Sequence, residues 1–242
     1  MKEKRRMATR FLLALALFLI ATGAADGQGD PLPEGLEGGE RLEVLLQRVQ
    51  EEQRSMKSLR ARFAMLQESE LLQGPERSSG EFLFAAPDRV RWEYAEPTSV
   101  TVVIDGDEMT TWYRDLGRAE QAEVGTYSDR ILKYMNASSS LENLLQSFDA
   151  RVRFHDGSDL PFEIELTPTY RRIARRMKSM TLWVHRDLFL PVRVRIETAR
   201  GEVTEFRFED LEVNARLAED AFSLSLPEGV EVRTPELSAG SE

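Results

Sequence analysis

The chain of 242 residues contains no cysteine. That absence removes disulfide cross-links, thiolate metal ligands, a cysteine nucleophile and a lipid-modified N-terminal cysteine together. A fold without such staples must rest on its own apolar core. Histidine is nearly as scarce, with only His155 and His185. They lie on separate segments with no Glu-x-x-His spacing nearby, so the pattern assigns no metal site. Ser, His and Asp all occur, yet no Gly-x-Ser-x-Gly elbow frames a nucleophile, so no catalytic residue and no cofactor are assigned. The formal net charge of −10 leaves little excess basic surface, which disfavours nucleic acid and anionic bilayer faces.

What is present begins with a secretory signature. Lys2, Lys4, Arg5, Arg6 and Arg10 precede the apolar run Phe11 to Ala21, and Gly23, Ala24 and Ala25 supply a small-residue exit. The run is too short to span a bilayer, so residues 1–25 read as a cleaved signal rather than an anchor. Removing five basic residues and Glu3 takes the charge from −10 to −14. Residues 26–39 are rich in Gly, Pro and acid and read as a flexible leader, and residues 234–242 as a disordered tail. The span between, 40–233, is the expected domain.

Within it the first signal is helical. Leu42, Leu45, Leu46 and Val49 recur on one face, with charges opposite. The period then changes from 3.6 to 2. Leu59, Ala61, Phe63 and Met65 alternate, as do Gly80, Phe82 and Phe84. Val90, Trp92 and Tyr94 follow, then Val100, Val102 and Ile104, and after the Asp105-Gly106 turn Met109, Thr111 and Tyr113. Residues 127–148 break the rhythm: Ile131, Leu132 and Met135, then Leu141, Leu144, Leu145 and Phe148, predict two short helices. Alternation resumes through Val152, Phe162 to Leu166, Met180 to Val184, Val192 to Ile196 and Thr204 to Phe208. About ten strands with one helical insert and no βαβ rhythm predict a single antiparallel sheet of mainly β (α+β) class. Such a sheet curls into a full or partial barrel.

The string "GEFLFAAPDRVRWEYAEPTSVTVVIDGDEMTTW", with Gly80, Pro87, Pro97 and Asp105-Gly106, resembles the periplasmic outer-membrane lipoprotein carriers of the LolA family. "LTPTYRRIARRMKSMTLWVHRDLFLPVRVRI", "GEVTEFRFEDLEVN" and "FSLSLPEGVEV" extend the likeness from about Leu42 to Val232. The resemblance implies an incomplete β-barrel capped by helices acting as a lid, and a monomeric carrier of lipoprotein acyl chains. Its implied partners are an inner-membrane lipoprotein-releasing ABC transporter and an outer-membrane lipoprotein acceptor. The family's arginine before the strand-ending proline, which helps hold the lid, is replaced here by Ala86.

A carrier must hide chains costing roughly 0.8 kcal/mol per methylene to expose, and adaptable aromatic and Met side chains suit that task. On this basis Phe63, Met65, Phe82, Phe84, Val90, Trp92, Tyr94, Val102, Met109 and Tyr113 form the expected cavity lining. Leu132, Met135, Leu141 and Leu145 form the expected inner face of the lid. The bland alternative is that the same residues pack as core. Arg171, Arg172, Arg175 and Arg176 form a candidate docking patch or, alternatively, a solvated face. Other readings kept open are a lipid-binding sensor of related fold, a carrier of another envelope lipid and an envelope-lipid hydrolase.

Overall fold

The computed structural model describes residue 32 and residues 38–70, 72–123, 147–155 and 159–234. The expected signal, most of the leader, the lid segment and the C-terminal tail therefore lie outside the described residues. Leu32, within the expected leader, packs against the core.

Helix α1, Gly38–Ser55, carries Glu40 in its first turn and Arg54 in its last, both favourable to the helix dipole. It turns Leu45 and Leu46 fully inward, with Leu42 and Val49 flanking them. Twelve strands follow: β1 Ser58–Glu68, β2 Glu76–Ala85, β3 Arg89–Glu96, β4 Val100–Asp105, β5 Glu108–Tyr113, β6 Arg118–Glu123, β7 Phe148–Arg153, β8 Phe162–Pro168, β9 Met177–Val184, β10 Pro191–Thr198, β11 Val203–Val213 and β12 Glu231–Arg233. A single turn of helix, α2, Arg171–Ala174, joins β8 to β9.

All twelve strands form one sheet in the order β12-β6-β5-β4-β3-β2-β1-β11-β10-β9-β8-β7. It consists of two antiparallel meanders, β1 to β6 and β7 to β11, joined where β11 returns beside β1. Among the described residues β12 and β7 each pair on one side only, so the barrel is incomplete. The segment 124–146 connects β6 and β7, on opposite flanks of the sheet.

Two strands escape the period-two reading. β6 offers only Ala119 and Ala122 as buried apolar residues, with charge between them. β12 is three exposed residues held parallel to β6 by edge hydrogen bonds. Neither has the branched or aromatic content that marks a strand locally.

Flat, twelve strands would span roughly 50 Å. Instead Phe82, Val102 and Met109 of the first meander share one buried cluster with Ile164, Met180 and Val194 of the second. The sheet is curled, and that cluster is its concave face. α1 closes one end: Arg41 sits 4.0 Å over the Phe154 ring, and Met56 is buried where β1 begins. The opposite end, the rim, carries the turns at 69–75, 97–99, 114–117, 169–176 and 199–202.

After β11 the chain crosses the convex face. Phe222 packs with Ala85 and Val103, Arg89 lies 5.1 Å from its ring, and Arg91 donates to the Ala221 and Ser223 carbonyls. On the same face the Glu205 carboxylate, 3 % exposed, receives Arg193 and Arg207 at 2.8 Å, with Arg195 at 3.7 Å. Burial alone would raise its pKa, but the hydrogen bonds from Arg193 and Arg207 prevail and hold it below the ordinary carboxylate range.

A depressed folded pKa contributes stability that is complete above the unfolded value near 4.3 and is lost as pH falls through the folded pKa. E205Q is expected to cost about 1–2 kcal/mol at pH 7, a modest figure because the three arginine side chains are partly exposed. It is also expected to flatten the acid limb of a pH–stability curve below about pH 5. An unchanged acid limb in chemical denaturation would show that the ion cluster contributes nothing.

Candidate functional site: the concave aromatic face

Strand register arranges the inward side chains in rows across the first meander. Nearest α1 run Met109, Ile104, Val90, Phe84 and Leu59. The next row holds Thr111, Val102, Trp92, Phe82 and Ala61. Toward the rim come Tyr113, Val100, Tyr94, Gly80 and Phe63, and the last of these faces Phe208 across β11. Met65 lies beyond, opposite Phe206.

Nine of the ten expected lining residues are buried in one cluster: Phe63, Phe82, Phe84, Val90, Trp92, Tyr94, Val102, Met109 and Tyr113. Met65 packs against it, half-buried. The rings meet each other. Trp92 stands 4.6 Å from Phe82, 4.9 Å from Phe63, 5.5 Å from Phe206 and 5.9 Å from Phe208, mostly edge-on or tilted. Phe63 and Tyr94 meet at 4.9 Å across Gly80. β3 and β11 are three strands apart, roughly 14 Å on a flat sheet. Curling, eased by the small Ala61 and Gly80 on the two strands between, lets rings from both strands touch.

Phe206 and Phe208 belong to this site although the expected lining stopped at β5. Their period-two alternation marks them as inward, but nothing local says that β11 folds back beside β1. Burial pushes the Tyr94 hydroxyl up and takes that of Tyr113 to about 12, so both remain neutral donors at any physiological pH. The expected lid residues Leu132, Met135, Leu141 and Leu145 lie outside the described residues. Ala86 packs half-buried against the cluster, and its N–H donates to the Lys57 carbonyl.

A separate depression of about 420 Å³ lies on the convex side at the rim. Its walls include Ala64, Leu66, Arg77, Ser79 and Arg207, whose side chains point away from the rings. Met65, one of the expected lining residues, also borders it.

The histidines serve local structure. His185 Nδ1 accepts from the backbone N–H groups of Asp187 and Leu188 in its own turn, and His155 lies 3.9 Å from Glu163. Among the described residues no three His, Asp or Glu side chains gather as metal ligands.

Arg171, Arg172, Arg175 and Arg176 are all exposed on the rim and make no ion pair among the described residues. Their turn is fixed by Ile173 and Ala174 N–H donating to the Tyr170 carbonyl, Thr169 N–H to Ser147, and Ala199 N–H to the Arg176 carbonyl. That last bond brings the Arg200 hairpin beside them. Tyr170, 54 % exposed, stands at the head of the array.

The sequence profile described as "Outer membrane lipoprotein carrier protein LolA" matches residues 54–225. The chain belongs to this family. An outer-membrane lipoprotein carrier protein of Alkalilimnicola ehrlichii is 30% identical over 181 residues, covering 72% of this chain and 77% of its own. One of Halorhodospira halophila is 28% identical over 235 residues, covering 94% and 95%. Among solved structures, an uncharacterized conserved protein from Thermus thermophilus aligns at TM-score 0.52 and 13% identity, covering 80% of this chain and 99% of that one. At that identity the match speaks for the fold alone.

Proposed function

We propose that this LolA-family protein is a periplasmic, non-enzymatic carrier that shields lipoprotein acyl chains against its concave face and moves lipoproteins from the inner to the outer membrane. The supporting observation is the largely apolar inner face of an open sheet, rich in rings, in a chain whose relatives are named as lipoprotein carriers. The rings themselves occupy the interior. Each ring pair is worth roughly 0.5–1.5 kcal/mol, whereas a chain of about fifteen methylenes gains on the order of 12 kcal/mol on leaving water. An entering chain therefore more than offsets parting a few rings, and the rings close again behind a departing one.

The arginine array on the rim is the face we assign to docking with an inner-membrane transporter and an outer-membrane acceptor. Unpaired guanidiniums on an acidic molecule fix orientation and speed encounter with an acidic partner surface. The test uses protein purified from the periplasm of a Gram-negative host and added to spheroplasts. Newly made lipoprotein is expected to appear in the soluble fraction in complex with it. Lipoprotein that stays entirely with the membrane, together with purified protein free of bound lipid, overturns the carrier reading. R171E combined with R175E is expected to leave capture of a free acylated peptide unchanged while slowing delivery to outer-membrane vesicles at least tenfold.

A further inference from the structure

Packing alone is served by phenylalanine, and Phe63, Phe82, Phe84, Phe206 and Phe208 show the sheet using it. Trp92 differs by bearing a polar atom. The residue is 4 % exposed at the centre of the ring cluster, and its indole Nε1–H is buried with no hydrogen-bond partner among the described residues. The backbone of β3 is satisfied by β2 and β4, and the row beside Trp92 offers Val102 and Phe82, neither of which can accept. A buried donor left unpaired costs about what a whole hydrogen bond contributes, so native proteins seldom retain one without a use.

An acyl chain brings its own acceptor. Every ester- or amide-linked chain begins with a carbonyl oxygen, and the hydrocarbon that follows carries none. We infer that the Trp92 indole N–H is the hydrogen-bond donor for the carbonyl of a bound acyl ester or amide, so that the concave face reads the head of the chain as well as its grease. This rests on the carrier reading above. In a site lined by rings and aliphatic groups the low dielectric strengthens such a bond. The bond also sets depth: with the carbonyl held at Trp92, in the middle row, the chain's methylenes run toward Phe84, Val90 and the α1-covered end.

The experiment compares a synthetic peptide carrying a dipalmitoyl-S-glyceryl cysteine with its bis-hexadecyl ether analogue, which has the same chain length and no acyl carbonyl. Each displaces an environment-sensitive naphthylamine dye from the purified protein. The ester form is expected to bind about tenfold more tightly than the ether, and W92F is expected to bind both alike. W92F should also be as resistant to thermal unfolding as the parent, or more so, because the orphaned donor is gone. Equal affinities in the parent protein overturn the assignment, as does a preference that survives W92F. A Trp92 N–H satisfied by the face of Phe63 or Phe206 would give that equal-affinity result together with a destabilised W92F. Failure of both lipopeptides to displace the dye from the parent protein sinks the carrier reading itself.

Discussion

Replacing Gly80 with alanine is expected to abolish the folded state or lower its stability by more than about 4 kcal/mol, beyond the usual range for a single substitution. The reason is contact rather than backbone freedom. A Cβ at Gly80 would stand 1.8 Å from the carbonyl oxygen of Glu93 and 2.8 Å from its carbonyl carbon, and 3.0 Å from Phe63 Cε1. The first two are main-chain atoms of β3, so no rotamer change relieves them. The pairing of β2 with β3 shifts register between Ser79 and Gly80, and this bulge is what brings the strands so close. Relief requires the β2–β3 ladder to part in the row where Phe63 and Tyr94 meet over the glycine. Circular dichroism and chemical denaturation of G80A measure it; a stability within about 1 kcal/mol of the parent would mean that the close approach is not required.

The same glycine shows how far the sequence could be read. Its inward register was legible, because Gly80, Phe82 and Phe84 alternate, and so was the fold class, since period two dominates from Leu59 to Phe208. α1 announced itself through Leu42, Leu45, Leu46 and Val49. What was not legible is non-local. Phe206 and Phe208 meet Trp92 only because β11 returns beside β1 and the sheet curls. β6 hid because its only inward apolar residues are alanines, which carry little β-propensity. Net charge alone hides the array of Arg171, Arg172, Arg175 and Arg176, which their clustering in the sequence reveals and the fold places on the rim. Trp92 was legible as an inward aromatic, but not as a donor lacking an acceptor, because that depends on what its neighbours fail to offer.

Trp92→Glu is expected to unfold the protein at neutral pH rather than merely to block lipid capture. Losing the ring forfeits contacts with Phe63, Phe82, Phe206 and Phe208 and leaves a cavity, worth about 3–5 kcal/mol. A carboxylate in its place is surrounded by rings and aliphatic groups with no cation to pair it, adding several kcal/mol more. The sum rivals the whole stability of a typical domain, roughly 5–15 kcal/mol. The two contributions separate by pH. Burial raises a carboxyl's folded pKa above its unfolded value near 4.3, so the charge penalty is full above the folded pKa and disappears as pH falls below the unfolded one. W92E should therefore recover part of its deficit between about pH 7 and pH 4, whereas W92A, which leaves only the cavity, should lose the same amount at both. Denaturation midpoints of the two variants at those pH values make the comparison. A W92E protein as stable as W92A at pH 7 would mean that water or a polar group reaches this depth, and the concave face would then be too wet to shelter a hydrocarbon chain.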